Sequence, residues 1–196
     1  MDLWFEKVVK KHIKGEAYII RYADDTVCLF QYKNNAKRFY KALKGRLSKF
    51  DLQLAEDKSK IIKFGRYSNS KETFDFLGFT HINGKSRLNK YLVIYRTSKK
   101  KLKTKKQIAK EWIKENMHKP LSEIIGKLNR KLVGHYRYYG ITNNIKSLIQ
   151  FYRYIIIQLY KKLLRRSQRR KLNFKKFDSL LKYYGLVKPR IYVSLY

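Results

Sequence analysis

Acidic residues are scarce in this 196-residue chain: 14 Asp plus Glu stand against 48 Lys plus Arg, a formal charge of +34. Self-repulsion on that scale disfavours an isolated compact chain and points to a polyanionic partner, nucleic acid ahead of an anionic membrane surface. Cysteine occurs once, at Cys28, which excludes an intrachain disulfide. The histidines, His12, His81, His118 and His135, are too scattered for a structural zinc spacing. Long apolar runs are missing too. The longest nearly apolar stretch, Ile155 to Leu159, falls far short of the ~18 to 20 residues that cross a bilayer, so no membrane partner is expected. Met1 to Lys14 has neither an apolar h-region nor a small-residue cleavage site, and the expected location is cytoplasmic. Aromatic residues, by contrast, are plentiful, and 17 Tyr, 11 Phe and 2 Trp argue against a disordered basic tail.

Charge and pattern both change near residue 98. Residues 1–97 hold 21 basic and 10 acidic residues, whereas residues 98–196 hold 27 and 4. The first part reads as mixed strand and helix, the second as helices only, joined through the cationic stretch Ser98 to Lys106. Ala17 to Arg21 and Thr26 to Gln31 are short β-branched and aromatic runs on either side of Tyr22-Ala23-Asp24-Asp25, a hairpin signal with a carboxylate tip. Ala36, Phe39, Tyr40, Leu43, Leu47 and Phe50 recur at helical spacing after Asn34 and Asn35, either of which suits a helix cap. Lys60 to Gly65 reads as a strand, and Thr73 to His81 with Tyr91 to Arg96 as a second hairpin whose connection includes Asn83-Gly84. Further on, Leu102 to Glu115 forms a helix ended by Pro120, one of only 2 prolines. A stripe from Leu121 to Tyr139 stops at Gly140, which positive φ would suit. The stripe from Leu148 to Leu163, after a cap at Asn143 or Asn144, and a last one from Phe174 to Tyr184 complete a small bundle.

Two adjacent carboxylates on a tight turn repel by ~1 kcal/mol in water and ~4 kcal/mol at intermediate dielectric, unless solvent or a cation neutralises them. Magnesium is suited to that task, because it takes one or two carboxylates and fills its octahedron with water and phosphate oxygens. Asp-Asp alone is most often an exposed turn stabilised by local hydrogen bonds. Its surroundings here are more specific. Gly15 to Leu29, GEAYIIRYADDTVCL, closely resembles the catalytic palm hairpin of group II intron reverse transcriptases, also called intron-encoded maturases. Leu52-Gln53-Leu54 through Lys58 is similar to the next palm block, and Phe74-Asp75-Phe76-Leu77-Gly78-Phe79 resembles the primer-grip hairpin. Lys127-Leu128-Asn129, Gly134 to Gly140 and Lys188-Pro189-Arg190-Ile191 resemble parts of the family's thumb, or maturase domain X.

The resemblance implies an α+β fold: a partial right-hand polymerase palm over residues 1–97, antiparallel strands with a packed helix, followed by an all-helical thumb bundle over 98–196. It implies Mg²⁺-dependent nucleotidyl transfer onto a primer 3′ end, directed by an RNA template, together with assistance to intron splicing. Asp24 and Asp25 would be the catalytic and metal-binding pair of a two-ion site. Tyr22, Ala23, Lys58, Phe76, Leu77 and Gly78 would lie near nucleotide and primer. Only 21 residues precede Tyr22, so the fingers, the first half of the palm and a third metal-binding aspartate are expected to come from elsewhere, a separate chain among the options, and activity of this chain alone is expected to be incomplete. The cationic residues Lys99, Lys100, Lys101, Lys105, Lys106, Arg130, Arg137, Arg165, Arg166, Arg169 and Arg170 are the candidates for gripping group II intron RNA or an RNA template with its DNA primer. Most charge runs are simply solvated faces, but a charge excess this large in one half favours phosphate. Tyr136 and Tyr139 read as core, with Tyr138 reaching beyond it. The alternative reading is a basic RNA-binding splicing cofactor, or a remnant, whose palm portion is merely structural.

Overall fold

In the computed structural model, which describes residues 1–166 and 172–195, the alternating pattern around Ala23-Asp24 forms an antiparallel hairpin. Its strands are β1 (Ala17–Tyr22) and β2 (Asp25–Phe30), registered so that Ala17 faces Phe30 and Tyr22 faces Asp25. Successive strand residues point to opposite faces, which puts Ala17, Ile19, Cys28 and Phe30 against one small core. The opposite side of that core comes from an N-terminal helical segment: α1 (Asp2–Trp4), a π-helical turn (Phe5–Val9) and a 3₁₀ turn (Lys10–His12). It supplies the fully buried Phe5 and the largely buried Val9, while α2 (Lys33–Ser48) supplies Phe39 and Leu43. The Phe5 and Phe39 rings meet edge-on at 5.5 Å and Phe30 lies 5.1 Å from Phe39.

Asparagine does not cap α2. The helix starts ahead of both candidates, at Tyr32, whose extended backbone offers its carbonyl to the Asn35 and Ala36 N–H groups. Asn35 is buried in the first turn and its Nδ2 donates to the Lys14 carbonyl at 2.8 Å. Lys60 to Gly65 is not a strand either. Its backbone is partnered by a side chain, the Lys63 N–H donating to Glu72 Oε2 at 2.8 Å, while Lys60 Nζ reaches the Thr73 carbonyl at 2.8 Å. A strand needs a ladder, and these contacts replace one. The unit Met1–Leu77 closes with β3 (Thr73–Phe76).

The second compact unit is Gly78–Tyr196, so the division falls well ahead of the change in charge at residue 98. The run from Thr73 to His81 is broken at Leu77 and Gly78, both in the left-handed region at φ 49° and 79°. β4 (Phe79–Lys85) pairs antiparallel with β5 (Tyr91–Thr97). Asn83 and Gly84 are not the turn: they lie within the ladder opposite Val93 and Leu92. Gly84 is needed there because a Cβ would come within 2.6 Å of Ile94 Cγ1. The reversal runs from Ser86 to Lys90, where Asn89 takes φ 58°, a conformation asparagine tolerates better than most residues.

Ser98 to Lys106 is helix rather than linker. Ser98 caps α3 (Lys99–Asn116), its Oγ accepting from the Lys101 N–H at 3.4 Å. The far end of α3 is closed by Arg166, whose Nη1 donates to the Met117 and Lys119 carbonyls at 2.9 and 2.7 Å, just before Pro120. α4 (Leu121–Tyr139), α5 (Ile145–Arg166) and α6 (Phe174–Tyr183) pack a core of Ile124, Leu128, Leu132, Leu148, Ile155, Leu159 and Phe177. Gly140 ends α4 at φ −81°, so positive φ is not its reason; a Cβ would collide with the Tyr136 carbonyl and sit 2.9 Å from that of Arg190. Gly185, at φ 66°, does use the left-handed region, after α6.

Asn144 joins three elements of this unit. It is fully buried; its Oδ1 accepts from the Thr97 N–H at 2.8 Å, and its Nδ2 donates to Thr97 Oγ1 at 2.9 Å and the Tyr139 carbonyl at 2.8 Å. The end of β5, the end of α4 and the start of α5 therefore meet on one side chain. Among the described residues no helix is long and apolar enough to cross a membrane.

Candidate active site

The hairpin register determines where the carboxylates go. Because Tyr22 and Asp25 are the last pair of the ladder, only Ala23 and Asp24 remain to make the turn, and Ala23 does so at φ 50°. An L-residue other than glycine pays about 1 to 2 kcal/mol for that region. Arg21 braces the turn from one side. Its Nε and Nη2 donate to the Asp2 carboxylate at 2.9 and 2.6 Å, and its Nη1 reaches the Ala23 carbonyl at 3.4 Å. The Arg21 hydrogen bonds hold the Asp2 carboxyl below its ordinary range, against some desolvation, and Asp2 in return raises the guanidinium. Two-point contact orients the Arg21 plane as a single contact would not.

Asp24 and Asp25 are both exposed. Tyr22 is 66% exposed and lies on the outer hairpin face with Tyr18, Ile20 and Leu29, away from the Phe5–Phe39 core. Tyr22, Ala23, Asp24 and Asp25 thus converge on one solvent-facing tip. Cys28 points inward, where burial pushes its thiol up to about 12. Lys58 lies on a separate exposed turn closed by its own N–H to the Ala55 carbonyl at 3.1 Å. Phe76 and Leu77 end the first unit and Gly78 begins the second; the Tyr139 hydroxyl stands 3.0 Å from where a Gly78 Cβ would be.

Two exposed carboxylates suit a divalent cation that completes its shell with water and phosphate oxygens, so the tip fits Mg²⁺. No group of three His, Cys, Asp or Glu able to hold a metal occurs among the described residues. The tip therefore offers two carboxylates to such an ion.

The cationic candidates occupy several faces of the second unit. Lys99, Lys100, Lys101 and Lys105 are exposed on α3 and Lys106 is half-buried there; Arg130 and Arg137 are exposed on α4, and Arg165 near the end of α5. Arg166 is committed to the Met117 and Lys119 carbonyls just beyond α3. Arg169 and Arg170 lie outside the described residues. Several residues between Lys127 and Gly140 hold this unit together instead. Asn129 clamps the chain after α6, accepting from the Val187 N–H and donating to the Gly185 carbonyl, both at 2.9 Å. Tyr136 and Tyr139 are buried, and Tyr138 is 55% exposed. His135 is buried beside Phe151, with ring centroids 4.2 Å apart.

The Arg21–Asp2 brace was not visible in the sequence, since nothing local links residues so far apart. Arg21 does carry one signal: it is a charge inside an otherwise apolar and aromatic strand, next to the tip.

The hairpin therefore presents two exposed carboxylates at its solvent-facing end. Residues 1–81 match the family described as reverse transcriptase (RNA-dependent DNA polymerase). The matched stretch takes in β1, the tip, β2, α2 and β3, and the activity it suggests is RNA-directed DNA polymerisation, a nucleotidyl transfer. Helices α3 to α6 lie beyond it. No match among curated proteins accompanies this one.

Proposed function

We propose that this chain carries the catalytic hairpin and RNA-gripping helices of a group II intron reverse transcriptase and maturase. The observation that carries the reading is the tip: two exposed, adjacent carboxylates, one on a two-residue turn strained at Ala23 and one at the start of the strand after it, within the stretch similar to reverse transcriptases. Asp24 and Asp25 would hold Mg²⁺, which when bound supplies charge neutralisation at the primer hydroxyl and the nucleotide phosphate. Arg21, fixed by Asp2, would hold the turn through the Ala23 carbonyl, next to both carboxylates. Tyr22, on the outer face, offers a flat surface beside them. A separate chain that supplies fingers and the first half of the palm is among the proposed partners. The proposed partners are intron RNA and an RNA template with its DNA primer, in the cytoplasm.

A second reading, a basic splicing cofactor without polymerase chemistry, is favoured by the concentration of positive charge in residues 98–196 and by the two-carboxylate donor set. Both readings require RNA binding through the helices, and filter binding to a structured group II intron RNA tests that shared part. If six to ten phosphates are contacted, the log–log salt slope is roughly −4 to −9, taking ~0.7 to 0.9 counterions released per contact. An affinity indifferent to salt contradicts both readings. Splicing stimulation that survives Asp24→Asn while primer extension is lost supports one protein with two separable tasks.

A further inference from the structure

Resting on the reading above, we propose that the groove between α3 and α5 holds an unpaired stretch of nucleic acid, with a base stacked on Tyr154 and flanking phosphates on Lys103, Lys146 and Arg153. The two helices pack side by side and leave two adjoining clefts of about 530 and 830 Å³ that share Lys106, Gln150 and Tyr154. Helical spacing makes the groove continuous. On α3, residues 99, 103, 106 and 107 follow one stripe, and on α5 residues 146, 150, 153, 154 and 157 follow another. Among the described residues, these stripes bring five cations to the cleft walls and no acidic residue.

The chemistry fits a single strand better than a duplex. A cationic groove that tracks a backbone, with an aromatic platform between the charges, is how proteins bind unpaired strands without reading sequence. A duplex keeps its base faces stacked and would present only phosphates, sugars and base edges to such a surface, so the half-buried Tyr154 and the isoleucines at 149 and 157 would find no base face to cover. Lys106 marks the platform: its Nζ lies over the Tyr154 ring, 5.5 Å from the centroid. A base arriving there takes the same π face, and the flexible lysine stem lets the ammonium move to the adjacent phosphate. Gln150, in both clefts, offers donor and acceptor groups to base edges.

The test is fluorescence anisotropy with the full chain, using a labelled 12-nucleotide poly(U) RNA and a blunt RNA duplex of equal length. Tyr154→Leu should weaken the single strand roughly 5- to 100-fold, the range for removing one stacking platform, and leave the duplex nearly unchanged. Tyr154→Phe should restore single-strand binding, which a merely structural role for the hydroxyl would not allow. Lys146→Gln and Arg153→Gln should each make the single-strand salt slope shallower by about 0.7. Equal losses for single strand and duplex with Tyr154→Leu, in a chain whose circular dichroism is unchanged, would overturn the groove assignment while leaving RNA binding intact. Displacement of neither ligand by substitutions in the groove, but capture there of an acidic amphipathic peptide, would also overturn it. Failure of both RNAs to bind the unsubstituted chain would instead remove the reading on which it rests.

Discussion

Replacing His135 with phenylalanine should remove an acid-sensitive step in the stability of the helical unit. The His135 ring is buried between Tyr139 and Phe151, with centroids 4.8 and 4.2 Å away, and its Nε2 has no hydrogen-bond partner among the described residues. Desolvation, helped by the nearby Lys105, pushes its pKa from 6.5 down to about 4. Between those values the unfolded chain takes up a proton that the folded chain refuses. The contribution of the neutral ring to stability is therefore complete above pH 6.5, shrinks as the pH falls, and is gone near pH 4, an acid loss of about 3 kcal/mol. Phenylalanine keeps the ring contacts and cannot be protonated. Urea unfolding at pH 7.5, 6, 5 and 4.5 measures the difference, with Trp4→Phe as background so that Trp112 alone reports on the second unit. His135→Phe should lie within about 1 kcal/mol of the parent at pH 7.5, since no hydrogen bond to Nε2 is lost, and should become the more stable variant by pH 5. Equal pH dependence in both proteins would show that the buried imidazole is not the source.

Asn144→Ala should destabilise the second unit by about 3 kcal/mol, because three hydrogen bonds at a fully buried position are lost and the Thr97 N–H is left without its acceptor; the same urea titration at pH 7.5 checks it, and a change under 1 kcal/mol would contradict the joint described for this residue. Cys28, inward-facing with its thiol pushed up to about 12, should react with iodoacetamide at pH 8 far more slowly in the folded chain than in 6 M urea, as mass spectrometry would follow; equal rates would place it outside the core.

The parts of the fold that were readable were those decided by local pattern. Alternation around Tyr22 to Asp25 announced the hairpin, and the 3.6-residue stripes announced α2, α4, α5 and α6, because burial of one face dictates the period. What escaped depended on which partner a segment finds. Lys60 to Gly65 has strand-like residues but donates to the Glu72 side chain, and Asn83-Gly84 has a turn's composition but stays in the ladder because Ile94 occupies the space beside Gly84. Gly140 was recognisable as a stop, though not for its reason, a carbonyl in the way rather than a positive φ. At the tip the carboxylates were legible as a motif and the Arg21–Asp2 brace was not. The α3–α5 groove was equally invisible: Lys146, Arg153 and Tyr154 acquire meaning only when a second helix stands beside them.

The central claim is that Asp24 and Asp25 form the metal-holding tip of a polymerase. The most direct measurement is template-directed nucleotide incorporation with Mg²⁺, by the chain fused behind the fingers and first half-palm of a related intron reverse transcriptase, comparing the parent fusion with Asp24→Asn. The account predicts incorporation by the parent, loss of at least about 100-fold with Asp24→Asn, the scale of removing one preorganised electrostatic contact, and RNA affinity changed less than twofold. A soluble, folded fusion that polymerises equally well with Asp24→Asn would mean that the Tyr22-Ala23-Asp24-Asp25 turn is only a turn.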